Sequence, residues 1–417
     1  MDSFKIIGQK KLSGSIYVSG AKNAVLPIMT AAILAKGKTT LYNVPVLNDI
    51  KMMAHLLRII GARVDFADNI MTIDSTNCNY YEAPYELVSK MRASIYVLGP
   101  LLARFKNARV SFPGGCAIGS RPVDLHLSAM ERLGTEIELK HGYILASTKG
   151  LTGGEIEFKK VSVGATANAL MAAVLAKGET IIKNAAKEPE IGALIDFLNK
   201  MGAQIKGRGS DLLHIYGVDK LEAVEMEMIP DRIEAGTFLI AGAITNSEID
   251  VINCKTEHLK SFIDKLEETG CKVVDIPNGA RIIPPEKLKG TDIETQPYPG
   301  FPTDLQAQFM ALMCLAEGKS EITETIFPDR FMHVAELRRL NANIEKELNK
   351  AHVYGVKELQ GANVMATDLR ASAALVLAGL AAKGETNISR IYHIDRGYER
   401  IENKLKKIGA DITRIEG

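Results

Sequence analysis

The sequence lacks the features that would assign a protein to nucleic acid, to a membrane or to an oxidising compartment. Its 51 Lys and Arg balance 50 Asp and Glu, so a net charge of +1 creates no overall field for nucleic acid or anionic lipid. Its five cysteines are odd in number and form no CxxC motif, which argues against a disulfide framework or a zinc site. The N-terminus carries no apolar signal segment. The longest apolar run, residues 371–382, is well short of the ~18–20 residues that span a bilayer. We therefore expect a cytoplasmic protein that binds any anionic ligand through local groups of Arg and Lys.

A unit of roughly constant length recurs along the chain. Amphipathic segments end in small-residue turns at six positions, Gly61, Gly134, Gly202, Gly270, Asn341 and Gly409, which are 73, 68, 68, 71 and 68 residues apart. Apolar segments rich in Ala, Leu and Met close on a glycine at four further positions, Gly37, Gly178, Gly318 and Gly384. Such self-similarity predicts six repeated supersecondary units, each with an all-round apolar, buried first helix and an amphipathic second helix.

The repeats also predict the domain organisation. A single unit of this size buries too little surface to be stable alone, so we expect an α/β protein whose six units group as three plus three. The polar segment 228–232 falls after three units and is the predicted crossover. The predicted lobes are residues 21–229 and residues 1–20 with 230–417. The first 20 residues precede the first unit and are expected to complete a sheet elsewhere, with the C-terminal strand.

Charged and polar residues recur just before the two helices of the repeat. Before the first helix lie Lys22 and Asn23, Arg92, residues 162–164, Asp231 and Arg232, Thr303 and Asp304, and residues 367–370; before the second lie Cys116 and Arg121, Lys187 and Glu188, Asp329 and Arg330, and Asp395 and Arg396. Helix N-termini attract anions through free N–H groups and the helix dipole. Any one of these residues is most simply a helix cap or a solvated turn. Their recurrence predicts a cleft between lobes that binds phosphate and carboxylate groups.

The segment 113–124 carries a cysteine on a glycine-rich loop. Three glycines, at positions 114, 115 and 119, allow the backbone to approach a ligand closely. Arg121 follows Cys116 by five residues, and a nearby cation lowers the pKa of a thiol. We therefore predict a chemical role for Cys116, the alternative being a tight turn with an incidental thiol.

The sequence resembles the UDP-N-acetylglucosamine enolpyruvyl transferase family. The resemblance covers essentially the whole chain and rests on long blocks in order, among them residues 20–24, 91–95, 113–116, 121–126, 161–165, 299–304, 330–333, 367–371 and 392–400. It implies a two-lobed inside-out α/β barrel (an α/β prism), each lobe with central helices and outer sheets. It also implies phosphoenolpyruvate and UDP-N-acetylglucosamine as substrates, no cofactor and no metal.

The resemblance further implies the reaction and the residues that perform it. The family transfers the enolpyruvyl group to the sugar 3′-hydroxyl with loss of phosphate through a tetrahedral intermediate, the first committed step of peptidoglycan synthesis. Cys116 matches the general acid and Asp304 the residue facing the sugar hydroxyl, while Lys22 and Arg396 complete the catalytic set. The matching substrate-binding residues are Lys22, Asn23, Arg92, Arg121, Pro122, Val123, Asp124, Leu125, Lys160, Val161, Ser162, Val163, Asp304, Ile326, Arg330, Asp368, Arg370 and Arg396.

Three alternatives remain open at this level. A 3-phosphoshikimate enolpyruvyl transferase shares the architecture and phosphoenolpyruvate, and a non-catalytic nucleotide-sugar-binding paralogue shares the scaffold. An RNA 3′-phosphate enzyme shares the repeated unit, but the neutral charge counts against it. Asp304 itself is either a base or a cap of the helix that it opens.

Overall fold

The computed structural model describes residues 2–89, 91–112 and 123–417, in which helices and strands alternate along the chain. The helices of these residues are α1 Lys22–Ala31, α2 Asn48–Ile60, α3 Tyr85–Val88, α4 Leu98–Phe105, α5 Asp124–Arg132, α6 Val163–Ala173, α7 Pro189–Lys200, α8 Arg232–Ile244, α9 Lys260–Glu268, α10 Gln306–Met313, α11 His333–Arg339, α12 Leu369–Ala381 and α13 Ile401–Lys407. Short 3₁₀ turns are Ala32–Leu34, Arg92–Val97, Thr256–His258, Thr303–Leu305 and Ile391–Arg396.

The strands are short and number two to five residues each. They are β1 Ser3–Ile7, β2 Ser15–Tyr17, β3 Lys38–Tyr42, β4 Arg63–Ala67, β5 Ile70–Asp74, β6 Glu82–Ala83, β7 Asn107–Ser111, β8 Glu136–Lys140, β9 Tyr143–Ser147, β10 Glu155–Glu157, β11 Glu179–Lys183, β12 Gln204–Lys206, β13 Leu212–Tyr216, β14 Glu225–Glu227, β15 Ile249–Ile252, β16 Lys272–Ile276, β17 Gly279–Ile283, β18 Ile293–Glu294, β19 Lys319–Thr323, β20 Asn343–Glu347, β21 Lys350–Tyr354, β22 Asn363–Met365, β23 Glu385–Ser389 and β24 Asp411–Ile415.

Six sheets of the same topology show the predicted repeat. In the sheet ordered β10-β11-β13-β12, β10 runs parallel to β11 with α6 as the crossover, and β13 pairs antiparallel with both β11 and β12. The remaining described strands form sheets of the same pattern, ordered β14-β3-β5-β4, β6-β7-β9-β8, β2-β15-β17-β16, β18-β19-β21-β20 and β22-β23-β1-β24. The predicted six-fold repeat is therefore confirmed, with β-α-β-α-β-β as its unit.

The turns that revealed the repeat adopt left-handed backbone conformations. The small residues closing the second helices all have positive φ, namely Gly61 103°, Gly134 84°, Gly202 106°, Gly270 96°, Asn341 71° and Gly409 101°. Glycine and asparagine tolerate this region, which is why they mark helix C-termini. After the first helices, the four predicted glycines have positive φ, and Lys106 (60°) and Asn246 (48°) take the same place in the other two repeats. These two turns were not predicted from the sequence, because neither position is a glycine.

The N-terminal segment completes two sheets, as the repeat required. β1 pairs antiparallel with the C-terminal strand β24, with Phe4 opposite Arg414, and with β23 on its other side. The expected pairing with the C-terminal strand is confirmed. β2 pairs in parallel with β15, and β14 supplies the corresponding parallel strand to β3.

The chain forms two compact units, each with its own apolar core. Unit A comprises the described residues of 20–229, and unit B comprises residues 2–19 and 230–417. In unit B the helices α8, α10 and α12 pack against one another and bury Phe238, Phe309 and Leu377 completely. Strands such as β19 alternate buried and partly exposed residues, so one face of the sheet packs on these helices and the other faces solvent.

Composition explains the central helices. α12 is mainly Ala and Leu, residues of high helix propensity, and every residue from position 370 to 380 is buried. Each large aliphatic side chain buried in this way contributes about 1.5–3 kcal/mol. Among the described residues, no helix is long and apolar enough to cross a membrane.

Candidate active site

Five described positions that the repeat singled out before its first helix lie at the starts of helical segments. Lys22 begins α1, Val163 begins α6 and Arg232 begins α8. Arg92 begins the 3₁₀ turn before α4, and Asp304 lies in the one before α10. For these five positions the predicted placement at a helix start is confirmed.

Unit B contains a carboxylate held between two arginines. Arg330 Nη1 donates to Asp304 Oδ1 at 2.8 Å, and Arg370 Nη2 donates to Asp304 Oδ2 at 2.6 Å. Both arginine side chains are only 6% exposed, whereas that of Asp304 is 26% exposed. The cluster therefore presents the carboxylate to solvent and keeps the guanidinium groups behind it.

These contacts decide the protonation state of Asp304. Burial alone would raise its pKa, but the guanidiniums of Arg370 and Arg330 outweigh burial and hold the pKa of the carboxyl well below its usual range. Neither oxygen caps the turn in which Asp304 lies; the side-chain hydrogen bonds go to the two arginines. The helix-cap alternative for this residue is therefore wrong.

Buried polar side chains support Arg370 from behind. Tyr398 OH lies 3.4 Å from Arg370 Nη1 and 2.8 Å from the hydroxyl of Thr237. Gln308 Nε2 donates to Tyr398 OH at 3.2 Å and to the Asp304 carbonyl at 2.9 Å. Tyr398 is 1% exposed, and burial raises the pKa of its phenol, so it stays neutral. This network fixes the position of the guanidinium.

Glu324 helps to hold the guanidinium of Arg330 in place through Thr303. Its buried carboxylate accepts from the hydroxyl of Thr303 at 2.8 Å and from the backbone amide of Ile326 at 2.8 Å. Thr303 Oγ1 in turn accepts from Arg330 Nη1 at 2.9 Å. Half-buried Ile326, predicted to contact the nucleotide sugar, is thereby tied to the same cluster. Nothing in the sequence separated Glu324 from the many surface glutamates.

Asp368 and His333 lie beside the cluster with different roles. Asp368 Oδ1 caps α12, accepting from the amides of Arg370 at 2.8 Å and Ala371 at 3.0 Å. His333 is 1% exposed, and burial, reinforced by Arg330 and opposed by Asp368, lowers its pKa to about 4. The imidazole is therefore neutral at physiological pH and adds no charge to the cluster.

Arg396 lies at the end of a 3₁₀ turn that is anchored from the outer sheet. Its neighbour Asp395 accepts two hydrogen bonds from Arg414 on β24, at 2.6 and 3.0 Å. Arg414 also donates to the buried Glu402 at 3.0 Å. Two residues after Arg396, Tyr398 is held in the core. The predicted anion-binding residue Arg396 therefore lies between two fixed residues, Asp395 and Tyr398.

In unit A, Lys22 and Asn23 form the first turn of α1. Lys22 Nζ lies 3.2 Å from Asp49 Oδ2, and the two side chains are 12% and 8% exposed. Asp49 comes from the first turn of α2, so the starts of the two helices of this repeat meet at an ion pair. Asn23 is half-buried beside it.

Unit A also contains the three predicted nucleotide-sugar segments. Half-buried Arg92 opens its 3₁₀ turn, and Val123 to Leu125 open α5, with Val123 buried and Asp124 exposed. Exposed Lys160 and half-buried Val161, Ser162 and Val163 lead into α6, where the Ser162 hydroxyl accepts from the amide of Ala165 at 3.2 Å. All three segments begin helical elements.

Cys116, Arg121 and Pro122 lie outside the described residues, so their predicted roles are not tested. The four cysteines that the structure describes are buried, at positions 78, 254, 271 and 314. Burial raises the pKa of each, to about 12 for Cys254 and Cys314. None of these four is a candidate nucleophile. Within the described ranges, no group of three or more His, Cys, Asp or Glu side chains is arranged to hold a metal ion.

Comparison with known proteins places this chain in a family. Residues 6–405 match the profile of the family described as EPSP synthase (3-phosphoshikimate 1-carboxyvinyltransferase). The fold resembles that of the enolpyruvyl transferase NikO from Streptomyces tendae, with a TM-score of 0.91 at 26% identity over 100% of this chain and 99% of that one. An EPSP synthase from Acinetobacter baumannii shares the fold, with a TM-score of 0.78 at 18% identity over all of both chains. The class of the protein is therefore that of the enolpyruvyl transferases.

Sequence relatives identify the branch of this class. The UDP-N-acetylglucosamine 1-carboxyvinyltransferase of Geotalea uraniireducens is 55% identical over 100% of both chains. The enzyme of the same name from Synechocystis sp. is 52% identical over 99% of this chain and 95% of its own. This chain belongs to the UDP-N-acetylglucosamine 1-carboxyvinyltransferase family.

Proposed function

We propose that this protein transfers the enolpyruvyl group of phosphoenolpyruvate to the 3′-hydroxyl of UDP-N-acetylglucosamine with release of phosphate. Full-length identity of 52–55% to relatives bearing that enzyme name supports the substrates. The structural observation that carries the proposal is the cluster of Asp304 between Arg330 and Arg370. It offers a carboxylate for proton transfer and two guanidiniums for anions within one hydrogen-bonded group.

The reaction needs three proton transfers, two in an addition step and one in an elimination step, together with charge stabilisation. In the addition step, the 3′-oxygen forms a bond to C2 of phosphoenolpyruvate, a base takes the hydroxyl proton, and an acid protonates C3. In the elimination step, C3 loses a proton and the bond from C2 to the phosphate oxygen breaks. We assign the acid to Cys116 and the base to Asp304, while Lys22, Arg121 and Arg396 bind the phosphate and carboxylate groups.

The ion pairs of Asp304 bear directly on its role as a base. A carboxylate whose pKa is held far below neutrality is a weak proton acceptor. Arg330 and Arg370 are also the side chains predicted to bind substrate anions. A substrate phosphate or carboxylate bound beside the cluster adds negative charge next to Asp304, which raises the pKa of its carboxyl. Substrate binding therefore prepares the base, and Asp304 reaches full basicity only in the loaded site.

The second candidate is transfer to shikimate 3-phosphate, since the matching family profile carries the name of that enzyme. Against it, identity to the solved EPSP synthase is 18%, compared with 55% to a UDP-N-acetylglucosamine enzyme. A non-catalytic nucleotide-sugar-binding protein shares the fold but has no use for Cys116 and Asp304, both of which are present.

The test is phosphate release from phosphoenolpyruvate with each acceptor in turn. We expect release with UDP-N-acetylglucosamine, none without an acceptor, and none with shikimate 3-phosphate at the same concentration. Phosphate release with shikimate 3-phosphate but not with UDP-N-acetylglucosamine would establish transfer to shikimate 3-phosphate. If calorimetry shows that the UDP-sugar binds but no phosphate is released, the protein is a non-catalytic nucleotide-sugar-binding protein.

A further inference from the structure

A fully buried asparagine in unit A joins four helical elements through one side chain. Asn168 on α6 has no exposed surface. Its Oδ1 accepts from the amide of Gly99 on α4 at 2.9 Å, and its Nδ2 donates to the carbonyl of Ile95 at 3.0 Å. Nδ2 also lies 2.8 Å from Nδ1 of His126 on α5. We call Asn168, His126, Ile95 and Gly99 the buried hub.

The hydrogen bonds define the state of the histidine. An amide nitrogen only donates, so Nδ1 of His126 accepts and the ring proton lies on Nε2. His126 is 7% exposed, and burial, reinforced by the charge of Arg92, lowers its pKa to about 4. The neutral ring packs against Gly164, where an added Cβ would lie 3.0 Å from Cε1. The Asn168 amide is hydrogen-bonded through both of its polar atoms, and the packing leaves no room for a longer side chain at position 164.

Each of the three predicted nucleotide-sugar segments is followed within a few residues by a member of the hub. Ile95 follows Arg92 by three residues in one 3₁₀ turn, and His126 directly follows Leu125 in the first turn of α5. Asn168 lies on α6, five residues after Val163, which begins the helix. These segments come from two repeats and are far apart in sequence. The Asn168 side chain is hydrogen-bonded to the elements that carry the other two.

We propose that Asn168 is a positioning residue for nucleotide-sugar binding, which holds the segments of Arg92, Val123 to Leu125 and Lys160 to Val163 in register through His126 and Ile95. The inference rests on the proposed function, because these segments are predicted to contact the UDP-sugar. A displacement of about 1 Å in a binding group is enough to cost a large factor in affinity or rate. The residue itself touches no substrate.

The test replaces Asn168 with leucine, which has a similar size but makes no hydrogen bond. We expect the Kd for UDP-N-acetylglucosamine, measured by calorimetry, to rise about tenfold or more, while the KM for phosphoenolpyruvate changes less than threefold. His126→Leu should have the same effect, and the double variant should be no worse than the more damaged single one, because both break one network. If Asn168 had a purely structural role, the Kd for UDP-N-acetylglucosamine and the KM for phosphoenolpyruvate would change by the same factor, or neither would change.

The matched control is Thr166→Val on the same helix. Thr166 is equally buried and accepts from the amide of Ala186 at 3.1 Å, outside the hub. We expect this variant to keep the affinity for the UDP-sugar. If Thr166→Val weakens sugar binding as much as Asn168→Leu, general loosening of α6 explains the result and the proposal fails.

Hydrogen exchange on the unaltered protein keeps the inference testable should the variants not fold. Saturation with the UDP-sugar should slow exchange at the Gly99 amide, which is bonded to Asn168 and not to ligand. Unchanged exchange there would overturn the proposal. Failure of the unaltered protein to bind the UDP-sugar at all would instead overturn the proposed function, so the two failures are distinguishable.

Discussion

Replacement of Asp304 by asparagine tests the central cluster most directly. Asparagine keeps one carbonyl acceptor but no charge, so two guanidiniums that are 6% exposed lose their counterion. Breaking a buried ion pair typically costs about 3–5 kcal/mol. Because the Asp304 side chain is 26% exposed, we expect about 2–4 kcal/mol here. For a unit of this size that loss lowers Tm by about 4–16 °C. Had Asp304 been a helix cap, asparagine would have substituted without loss.

The catalytic consequence is separate from the thermal one. Asparagine cannot accept the hydroxyl proton at neutral pH, so we expect turnover to fall by about 10²–10⁴, measured by phosphate release well below the lowered Tm. The matched control is Asp250→Asn in unit B, where Asp250 accepts two hydrogen bonds from Arg281 at 2.6 and 3.0 Å. Because Arg281 is 42% exposed, solvent screens this ion pair, and the change should cost little stability and leave turnover intact. Turnover of Asp304→Asn within threefold of the unaltered protein would refute the role of Asp304 as base.

Three further outcomes are expected. Iodoacetamide should modify Cys116 first, because the other four thiols are buried with raised pKa; peptide mass spectrometry showing an earlier adduct elsewhere would contradict this. His126 has a folded-state pKa of about 4, below its unfolded value, so the unfolded chain takes up the extra proton and stability falls as pH drops from about 6.5 towards 4. Between pH 7 and pH 4.5 we expect this protonation to lower the free energy of unfolding, measured by urea denaturation, by about 2 kcal/mol. The His126→Gln variant should lose correspondingly less stability over the same pH range, and an equal loss would contradict the assignment. Asp49→Asn removes the ion pair that helps to position Lys22 and should raise the KM for phosphoenolpyruvate roughly tenfold, whereas an unchanged KM would remove Asp49 from the site.

The repeated architecture was largely predictable from the sequence. Helix C-termini that need a left-handed residue strongly favour glycine or asparagine, and these recur at a fixed period. The two first-helix turns at Lys106 and Asn246 were missed because neither position carries the glycine on which the prediction relied. The pairing of β1 with β24 was predicted only because a chain of six complete units leaves the N-terminal segment without partners of its own.

The sequence predicted residues for the candidate site, but it did not predict their contacts. Helix starts bearing Lys22, Asp304 and Arg370 follow from local sequence and from family resemblance. That Asp304 is held by two arginines does not, because Arg330 and Arg370 are 26 and 66 residues away along the chain. The supporting residues Glu324 and Asn168 carried no local signal, since a buried polar side chain is recognised only by its partners.

The sequence by itself determined where each repeat begins and ends, which faces of its helices are apolar, and which residues stand at the helix starts. These properties depend on backbone preferences and side-chain polarity within a few residues of one another. Only the tertiary structure decided the protonation states of Asp304, His126 and His333, and which polar groups share hydrogen bonds. Those depend on burial and on charges brought within about 3–4 Å by packing of distant segments, which no local pattern encodes.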